Sequence, residues 1–97
     1  MRYEIILAPE AVHDLQRLSS RERSTVRDAI DRHLRYEPEK LSRSSIKQLR
    51  EIDRPQYRLR IGDIRVFYDV SEDTVEILAV VPKSKASQWL DQFGGEL

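Results

Sequence analysis

The amino-terminal third of the chain shows first an alternating and then a helical pattern of apolar side chains. Over residues 2–8 apolar positions alternate with polar ones, and the additional apolar Ile6 predicts a strand covered on both faces. Pro9 suits the first position of a helix, where its missing N–H costs nothing. Ala11 and Leu15 then repeat at helical spacing, so a short helix should follow the strand directly.

A capping signal and an apolar stripe predict a second helix. Ser19 followed three residues later by Glu22 is typical of a capping box at a helix start. The helix should end near Glu37, because Pro38 disfavours helical backbone in the residue before it. Its predicted inner face carries Val26, Ala29, Ile30, His33 and Leu34.

The second half of the chain predicts a run of antiparallel strands. Residues 45–49 are a candidate edge strand, and residues 56–61 and 64–70 are two further strands joined by a tight turn. Residues 75–81, VEILAVV, are apolar at nearly every position and therefore predict a central strand.

A final helix completes the predicted fold. Ser84 is a candidate cap, and the Gly94-Gly95 pair would end the helix. Ala86, Trp89, Leu90 and Phe93 share one predicted face, which suggests core packing for the tryptophan. We therefore expect an α+β fold: a small, antiparallel-rich sheet with an amino-terminal helical hairpin on one face and a short carboxy-terminal helix.

The turn between the two predicted strands brings like charges together. If Gly62-Asp63 is a two-residue hairpin turn, Arg60 faces Arg65 and Arg58 faces Phe67 across the strands. Like charges in directly opposite positions destabilise a sheet, so this arrangement points to a functional site.

The next hairpin is expected to add cations to this cluster. A turn over residues 71–74 would place Arg65 opposite Val80 in the following strand. Lys83 and Lys85 would then emerge beside the arginines, together with the amino-terminus of the last helix and its free N–H groups. This prediction depends on the register between the two strands.

These groups favour a phosphodiester, and therefore RNA or DNA, as the ligand. Arginine forks match phosphate oxygens, and the ring of Phe67 would offer a surface for a base to stack on. Lys47 and Arg50, on and beside the edge strand, are further candidate RNA contacts. The alternative is a merely solvated face whose arginines pair with nearby acids, namely Glu51, Asp63, Asp69 or Glu76.

The amino-acid composition excludes some kinds of chemistry but does not identify the binding partner. The 97 residues suit a single domain, and 17 basic residues balance 17 acidic ones, so any polyanion must be met by a local patch. The chain lacks cysteine, which excludes thiol chemistry and fits the cytoplasm. His13 is expected at the surface and His33 at the core border, so neither a metal nor another cofactor is predicted. No apolar segment approaches the length of a membrane span.

Over nearly its whole length, the chain resembles the RelE/ParE superfamily of bacterial toxin–antitoxin toxins. The resemblance lies in YRLRIGDIRVFYDV (residues 57–70), in VEILAVV and in the basic segment that follows. It implies one toxin domain over residues 1–97, with helices packed on a compact sheet. It also implies a cognate antitoxin that wraps and blocks the toxin; such a partner would be small, acidic and partly disordered when free.

RelE-like members cut messenger RNA in the ribosomal A site, so the resemblance implies an endoribonuclease that inhibits translation and arrests growth. Ser84 occupies the place of the carboxy-terminal arginine of that site, and Leu90 lies near the place of its tyrosine. The 2′-OH of RNA would attack the adjacent phosphate, and a lysine of the basic segment or a group of ribosomal RNA would act as base. The residues implied as catalytic are Arg58, Arg60, Arg65, Lys83 and Lys85.

Two other functions remain open at this point. A ParE-like toxin would bind and poison DNA gyrase without catalysis, and the missing tyrosine favours that alternative. A third possibility is an inactive module that only binds an antitoxin. The clustered strand arginines favour the ribonuclease.

Overall fold

The computed structural model describes residues 1–94, which form one five-stranded sheet with helices on both faces. The strand order is β1-β5-β4-β3-β2; β1 pairs with β5 in parallel, and all other pairs are antiparallel. This architecture confirms the predicted α+β class. The elements are β1 (Glu4–Leu7), α1 (Pro9–Arg17), α2 (Ser20–Leu34), β2 (Ile46–Gln48), β3 (Tyr57–Ile61), β4 (Ile64–Ser71), β5 (Thr74–Pro82) and α3 (Lys83–Gly94).

Local signals set the starts of the first two helices. Pro9 occupies the first turn of α1, as predicted. At α2, the Glu22 backbone N–H donates to Ser19 Oγ at 3.1 Å, and the Ser19 N–H donates to Glu22 Oε1 at 3.3 Å, which completes the capping box. Helix α2 ends at Leu34, slightly earlier than predicted, and a turn leads into the buried Pro38.

Helices α1 and α2 cover one face of the sheet, here called the hairpin face. Its core joins apolar side chains from both helices and all five strands, including Leu34, Leu59 and Tyr68, each of which is fully buried. The Tyr68 hydroxyl donates a 2.6 Å hydrogen bond to the Pro38 carbonyl, so even the polar atom of this ring is satisfied. Burial also raises the pKa of Tyr68 above its ordinary value, so the phenol stays protonated.

Helix α3 covers part of the opposite face and builds a second, smaller core there. The ring of Trp89 stacks on Phe67 at 4.9 Å and on Phe93 at 4.8 Å between centroids. Trp89 Nε1 donates to Glu10 Oε1 at 3.1 Å, which ties α3 to α1. The predicted core role of Trp89 is therefore confirmed.

A β-bulge in β5 corrects the predicted register of the second hairpin. Val70 pairs with Val75, but Phe67 pairs with Ala79 and Tyr68 with Ile77, so Leu78 has no partner on β4. The extra residue shifts the rest of the strand by one position, because a bulge sets two residues against one. Arg65 therefore lies opposite Val81 and not opposite Val80.

Strand β1 lies at an edge of the sheet, and its predicted burial on both faces is wrong. Ile5 and Leu7 pack against the hairpin-face core, whereas Ile6 is 44% exposed on the other side. Helix α3 lies over β4 and β5 and leaves this part of the face open. By contrast, β5 is central, as its continuous apolar pattern predicted.

Candidate nucleic-acid interface

The hairpin of β3 and β4 places the strand arginines as predicted. Arg60 pairs with Arg65, and Arg58 pairs with Phe67. The backbone of Gly62 has φ +57°, and no non-glycine residue among those described has positive φ. This is the pattern of a two-residue turn with glycine at its first central position, which explains why the register can be counted from the sequence.

Beside this hairpin, an open cleft of about 690 Å³ runs along the β2 edge of the sheet. Its lining contains basic side chains and no acidic one. The Lys47–Arg58 pair across β2 and β3 shows how the strands bring these charges together. We call this feature the cationic cleft; its basic residues are Arg43, Lys47, Arg50, Arg58 and Arg60.

Arg58 is the member of the cationic cleft with a buried and unpaired polar atom. The residue is half-buried, and its Nε atom is buried with no hydrogen-bond partner among the residues that the structure describes. Burial lowers the pKa of the guanidinium, and the nearby charges of Arg65 and Arg60 lower it further. An arginine stays protonated in proteins, so this positive charge, which pairs with no acidic side chain within residues 1–94, favours an anionic ligand.

Two of the acids expected to neutralise the strand arginines are bound elsewhere. Asp69 accepts from Arg54 Nε at 2.7 Å, and Glu76 accepts from Arg54 Nη2 at 3.2 Å. The bond to Asp69 is the main cause of the raised pKa of Arg54. Within residues 1–94, no ion pair joins an acidic residue to any member of the cationic cleft.

Arg65 lies next to the cleft but is engaged by the turn. The residue is 6% exposed, and its Nη1 donates to the carbonyls of Gly62 at 2.8 Å and Ile64 at 3.1 Å. The structure thus corrects the picture of Arg65 as an open phosphate fork. Its positive charge contributes to the lowered pKa of Arg58, and its hydrogen bonds hold the turn together.

Phe67 offers no stacking surface for a base, because the structure buries it. The ring is 1% exposed and lies under Trp89, with the two ring planes 8° from parallel. The sequence placed Phe67 on the correct face of the sheet but did not show that α3 would cover it. Phe67 supports the second core and the seat of α3.

The two lysines at the start of α3 are exposed, and neither belongs to the lining of the cationic cleft. The Lys83 N–H donates to the Asp63 carbonyl at 2.7 Å, so the helix begins at the hairpin turn, as expected. The convergence of Lys83 and Lys85 with the strand arginines stays a prediction.

The sequence reasoning missed Arg43, which lies on a tight turn before β2. Ser42 Oγ accepts from the N–H groups of Ser45 at 3.0 Å and Ile46 at 3.4 Å, while the Ser42 N–H donates to the Ile46 carbonyl at 3.0 Å. These bonds close the turn that carries Arg43, which is one of the residues that line the cleft. The serine-rich stretch was the available signal, because serine side chains bond to nearby backbone in turns.

Neither histidine lies in the lining of the cleft. His33 is half-buried near the end of α2, and burial lowers its pKa, as does the charge of Arg32. His13 is exposed on α1. Among residues 1–94, no group of three or more histidine or acidic side chains is arranged to hold a metal ion. None of the helices formed by these residues has the length and apolar character needed to cross a bilayer.

The fold and the cationic cleft define a small toxin of the RelE/ParE type, and comparison with known proteins supports this class. The profile of a family described as the ParE toxin of the type II toxin-antitoxin system parDE matches residues 5–86. The chain therefore belongs to this family and is the toxin of a toxin–antitoxin module. Among curated protein sequences, none matches the chain.

Solved structures of RelE toxins share the fold. The RelBE2 toxin-antitoxin complex of Mycobacterium tuberculosis matches with 26% identity and a TM-score of 0.71, over 84% of this chain and 99% of that one. The archaeal RelE-RelB complex of Pyrococcus horikoshii matches with 27% identity and a TM-score of 0.65, over 89% and 100%. A double mutant of Escherichia coli RelE in the free state, at 17% identity and a TM-score of 0.60 over both complete chains, shares the fold alone.

Proposed function

We propose that this toxin is an endoribonuclease that binds messenger RNA in the cationic cleft and cuts it on the ribosome. The observation that carries the proposal is the acid-free lining of the cleft around Arg58, whose pKa is lowered by burial and by the charges of Arg65 and Arg60. A sugar-phosphate backbone supplies the missing negative charge. The structural likeness to RelE toxins supports the same choice.

The chemistry would use the RNA's own nucleophile. The 2′-oxygen attacks the adjacent phosphorus, a base removes the 2′-OH proton, and the 5′-oxygen of the next nucleotide leaves and accepts a proton. Arg58 and Arg60 would hold the phosphate in line and stabilise the charge that builds on its oxygens. Arg65 would act indirectly, by keeping the turn rigid.

The cleft itself supplies no evident proton acceptor. Its lining contains neither histidine nor carboxylate, and the Tyr57 hydroxyl, which is engaged with Glu39, lies on the hairpin face. A base from outside the cleft is therefore required, and Lys83, Lys85 or a group of ribosomal RNA would provide it. We accordingly expect cutting of ribosome-bound message and little cutting of free RNA.

The experiment compares cleavage of messenger RNA on purified ribosomes with cleavage of the same RNA alone, mapped by primer extension. We expect Arg58→Ala and Arg60→Ala each to lower the ribosome-dependent rate by about 10²–10³-fold, the usual effect of removing one group that stabilises transition-state charge. Arg21→Ala, an exposed arginine on α2, is the matched control. Wild-type cleavage by both cleft variants would refute the proposal.

A second candidate function is inhibition of DNA gyrase, favoured by two observations. The matching family is that of ParE toxins, and Leu90 stands near the place where the RelE site would have its tyrosine. A supercoiling assay with purified gyrase separates the two functions. Inhibition of supercoiling without RNA cleavage would establish the ParE-like function, whereas absence of both effects and of growth arrest would indicate an inactive module.

We further propose that residues 1–97 act as one toxin domain in the cytoplasm, where ribosomes and gyrase are found, under the control of a cognate antitoxin. The relatives from Mycobacterium tuberculosis and Pyrococcus horikoshii were crystallised in toxin–antitoxin complexes. An acidic, partly disordered antitoxin would suit the cationic cleft, because it could fold over the unpaired charges. A small acidic protein encoded next to this one should therefore co-purify with it.

A further inference from the structure

Among the described residues that line the cationic cleft, Ser42 alone carries a hydroxyl group. The residue is exposed and lies on the turn before β2, directly before Arg43. The other polar members of the lining are the five basic residues and Gln48. Ser42 is therefore the place where this charged surface offers a ligand a neutral O–H group.

Backbone hydrogen bonds tie this turn to two strands of the sheet. The Ser42 N–H donates to the Ile46 carbonyl of β2 at 3.0 Å, and the Arg60 N–H of β3 donates to the Ser45 carbonyl at 2.8 Å. The turn is thus attached to the strand that presents Arg58 and Arg60 to the same cleft. A group on such a turn is already in position, so little conformational freedom is lost when a ligand binds.

The hydrogen bonds of the Ser42 hydroxyl determine what it can offer to a ligand. Its oxygen accepts from the N–H groups of Ser45 at 3.0 Å and Ile46 at 3.4 Å, and among residues 1–94 it forms no other hydrogen bond. A hydroxyl has one donor and two acceptor lone pairs, so the O–H group is what remains. The two N–H groups also polarise the hydroxyl, which strengthens it as a donor. A ligand at this position must therefore supply an acceptor.

We propose that the Ser42 hydroxyl donates a hydrogen bond to a phosphate oxygen of the RNA backbone in the cationic cleft, an inference that rests on the proposed function. A phosphate oxygen is a charged acceptor, and serine hydroxyls are among the groups that contact phosphates in nucleic-acid complexes. The long side chains of arginine and lysine lose much rotamer freedom when they are held in one place, whereas that of serine loses little. The cations thus attract the backbone, and Ser42 fixes the position of one phosphate.

A salt titration of binding separates this contact from the role of Ser42 in the turn. The probe is a uridine tetranucleotide with 2′-O-methyl groups, which cannot react, and the protein is the full-length toxin. Each cation that neutralises a phosphate adds about 0.7 to the slope of log affinity against log salt for a single strand, whereas a neutral hydroxyl adds nothing. Ser42→Ala should therefore bind about tenfold more weakly, with the slope of the wild type.

Further variants make the result specific. Ser42→Thr keeps the hydroxyl and should restore binding, and Ser44→Ala removes an exposed hydroxyl of the same turn that lies outside the cleft lining, so it should bind as the wild type does. Arg60→Ala should weaken binding and also lower the slope. If Ser42 only held the turn, its replacement by alanine would displace Arg43 and lower the slope in the same way; that result, or unchanged affinity, would overturn the inference.

Cleavage of ribosome-bound message distinguishes failure of this inference from failure of the proposed function. A wild type that binds the probe through Ser42 but cuts no message would refute the proposed function and leave the contact in place. Equal binding by the wild type and Ser42→Ala would refute the contact even if the message is cut. A wild type that does not bind the probe in low salt would also refute the contact, and cutting on ribosomes would then decide the function alone.

Discussion

The two faces of the sheet differ in how far helices cover them. On the hairpin face, two helices close over side chains from every strand, and the large core residues are fully buried. On the other face, α3 covers β4 and β5, and the surface of β2 and β3 stays open with Lys47, Arg58 and Arg60 on it. The comparison shows that one sheet can combine a closed core with an exposed charge cluster, because alternate side chains point to opposite faces.

The two faces also differ in the hydrogen bonding of their buried polar groups. On the hairpin face, the buried carboxylate of Asp14 accepts the Val80 N–H at 2.9 Å, and Tyr68 bonds to Pro38. On the other face, Arg58 Nε is buried without a partner among residues 1–94. The buried polar groups named on the hairpin face are bonded within the chain, whereas Arg58 Nε of the cationic cleft has no partner among the described residues.

The comparison between the two faces predicts its largest effect on stability at Leu59, which is fully buried on the hairpin face. Leu59→Ala should lower the free energy of unfolding by about 2–5 kcal/mol, because it removes buried methyl groups and leaves a cavity. Urea denaturation followed by circular dichroism measures the change. Arg60→Ala, one residue further along β3 and on the other face, should show no such loss; similar losses in both variants would contradict the division between the faces.

A smaller effect is expected at Asp14, which satisfies a backbone N–H of β5 from α1. Asp14→Ala should cost about 1–3 kcal/mol of stability, because the buried Val80 N–H loses its acceptor. Asp14→Asn keeps an acceptor oxygen and should cost much less. If the two variants were equally unstable by thermal denaturation, the hydrogen bond would not be the cause.

The same residue predicts a pH dependence. Burial raises the pKa of Asp14 above its ordinary value of 3.8, so between these two pKa values the folded state binds more protons than the unfolded state. Stability from this group is therefore complete below pH 3.8 and is lost as the pH rises through the folded pKa. The Asn variant lacks this loss, so its stability relative to the wild type should increase over that window; a constant difference would refute the prediction.

The smallest expected effect has the opposite sign and concerns Arg60. Removing this charge relieves repulsion from Arg65 across the strand pair, so Arg60→Ala should raise the free energy of unfolding by roughly 0.2–1 kcal/mol. The gain should shrink in high salt, which screens exposed charges. Thermal denaturation at two salt concentrations measures it, and a loss of stability in low salt would show that Arg60 serves folding.

Where local patterns decide structure, the sequence predicted it well. The Ser19–Glu22 capping box, the proline start of α1 and the Arg60–Arg65 pairing all follow from residues a few positions apart, and all are confirmed. The family resemblance is confirmed by the match to residues 5–86. The cationic cleft was anticipated only in part, because Arg43 reaches it through a turn that was not recognised.

By itself, the sequence determined which side chains belong to each face of the hairpin, because a two-residue turn and strict alternation leave one register. Only the tertiary structure decided what lies over those faces. The bulge at Leu78 and the cover of Trp89 over Phe67 depend on contacts between distant segments. Such contacts are chosen by the fit of whole surfaces, and no short stretch of residues encodes that fit.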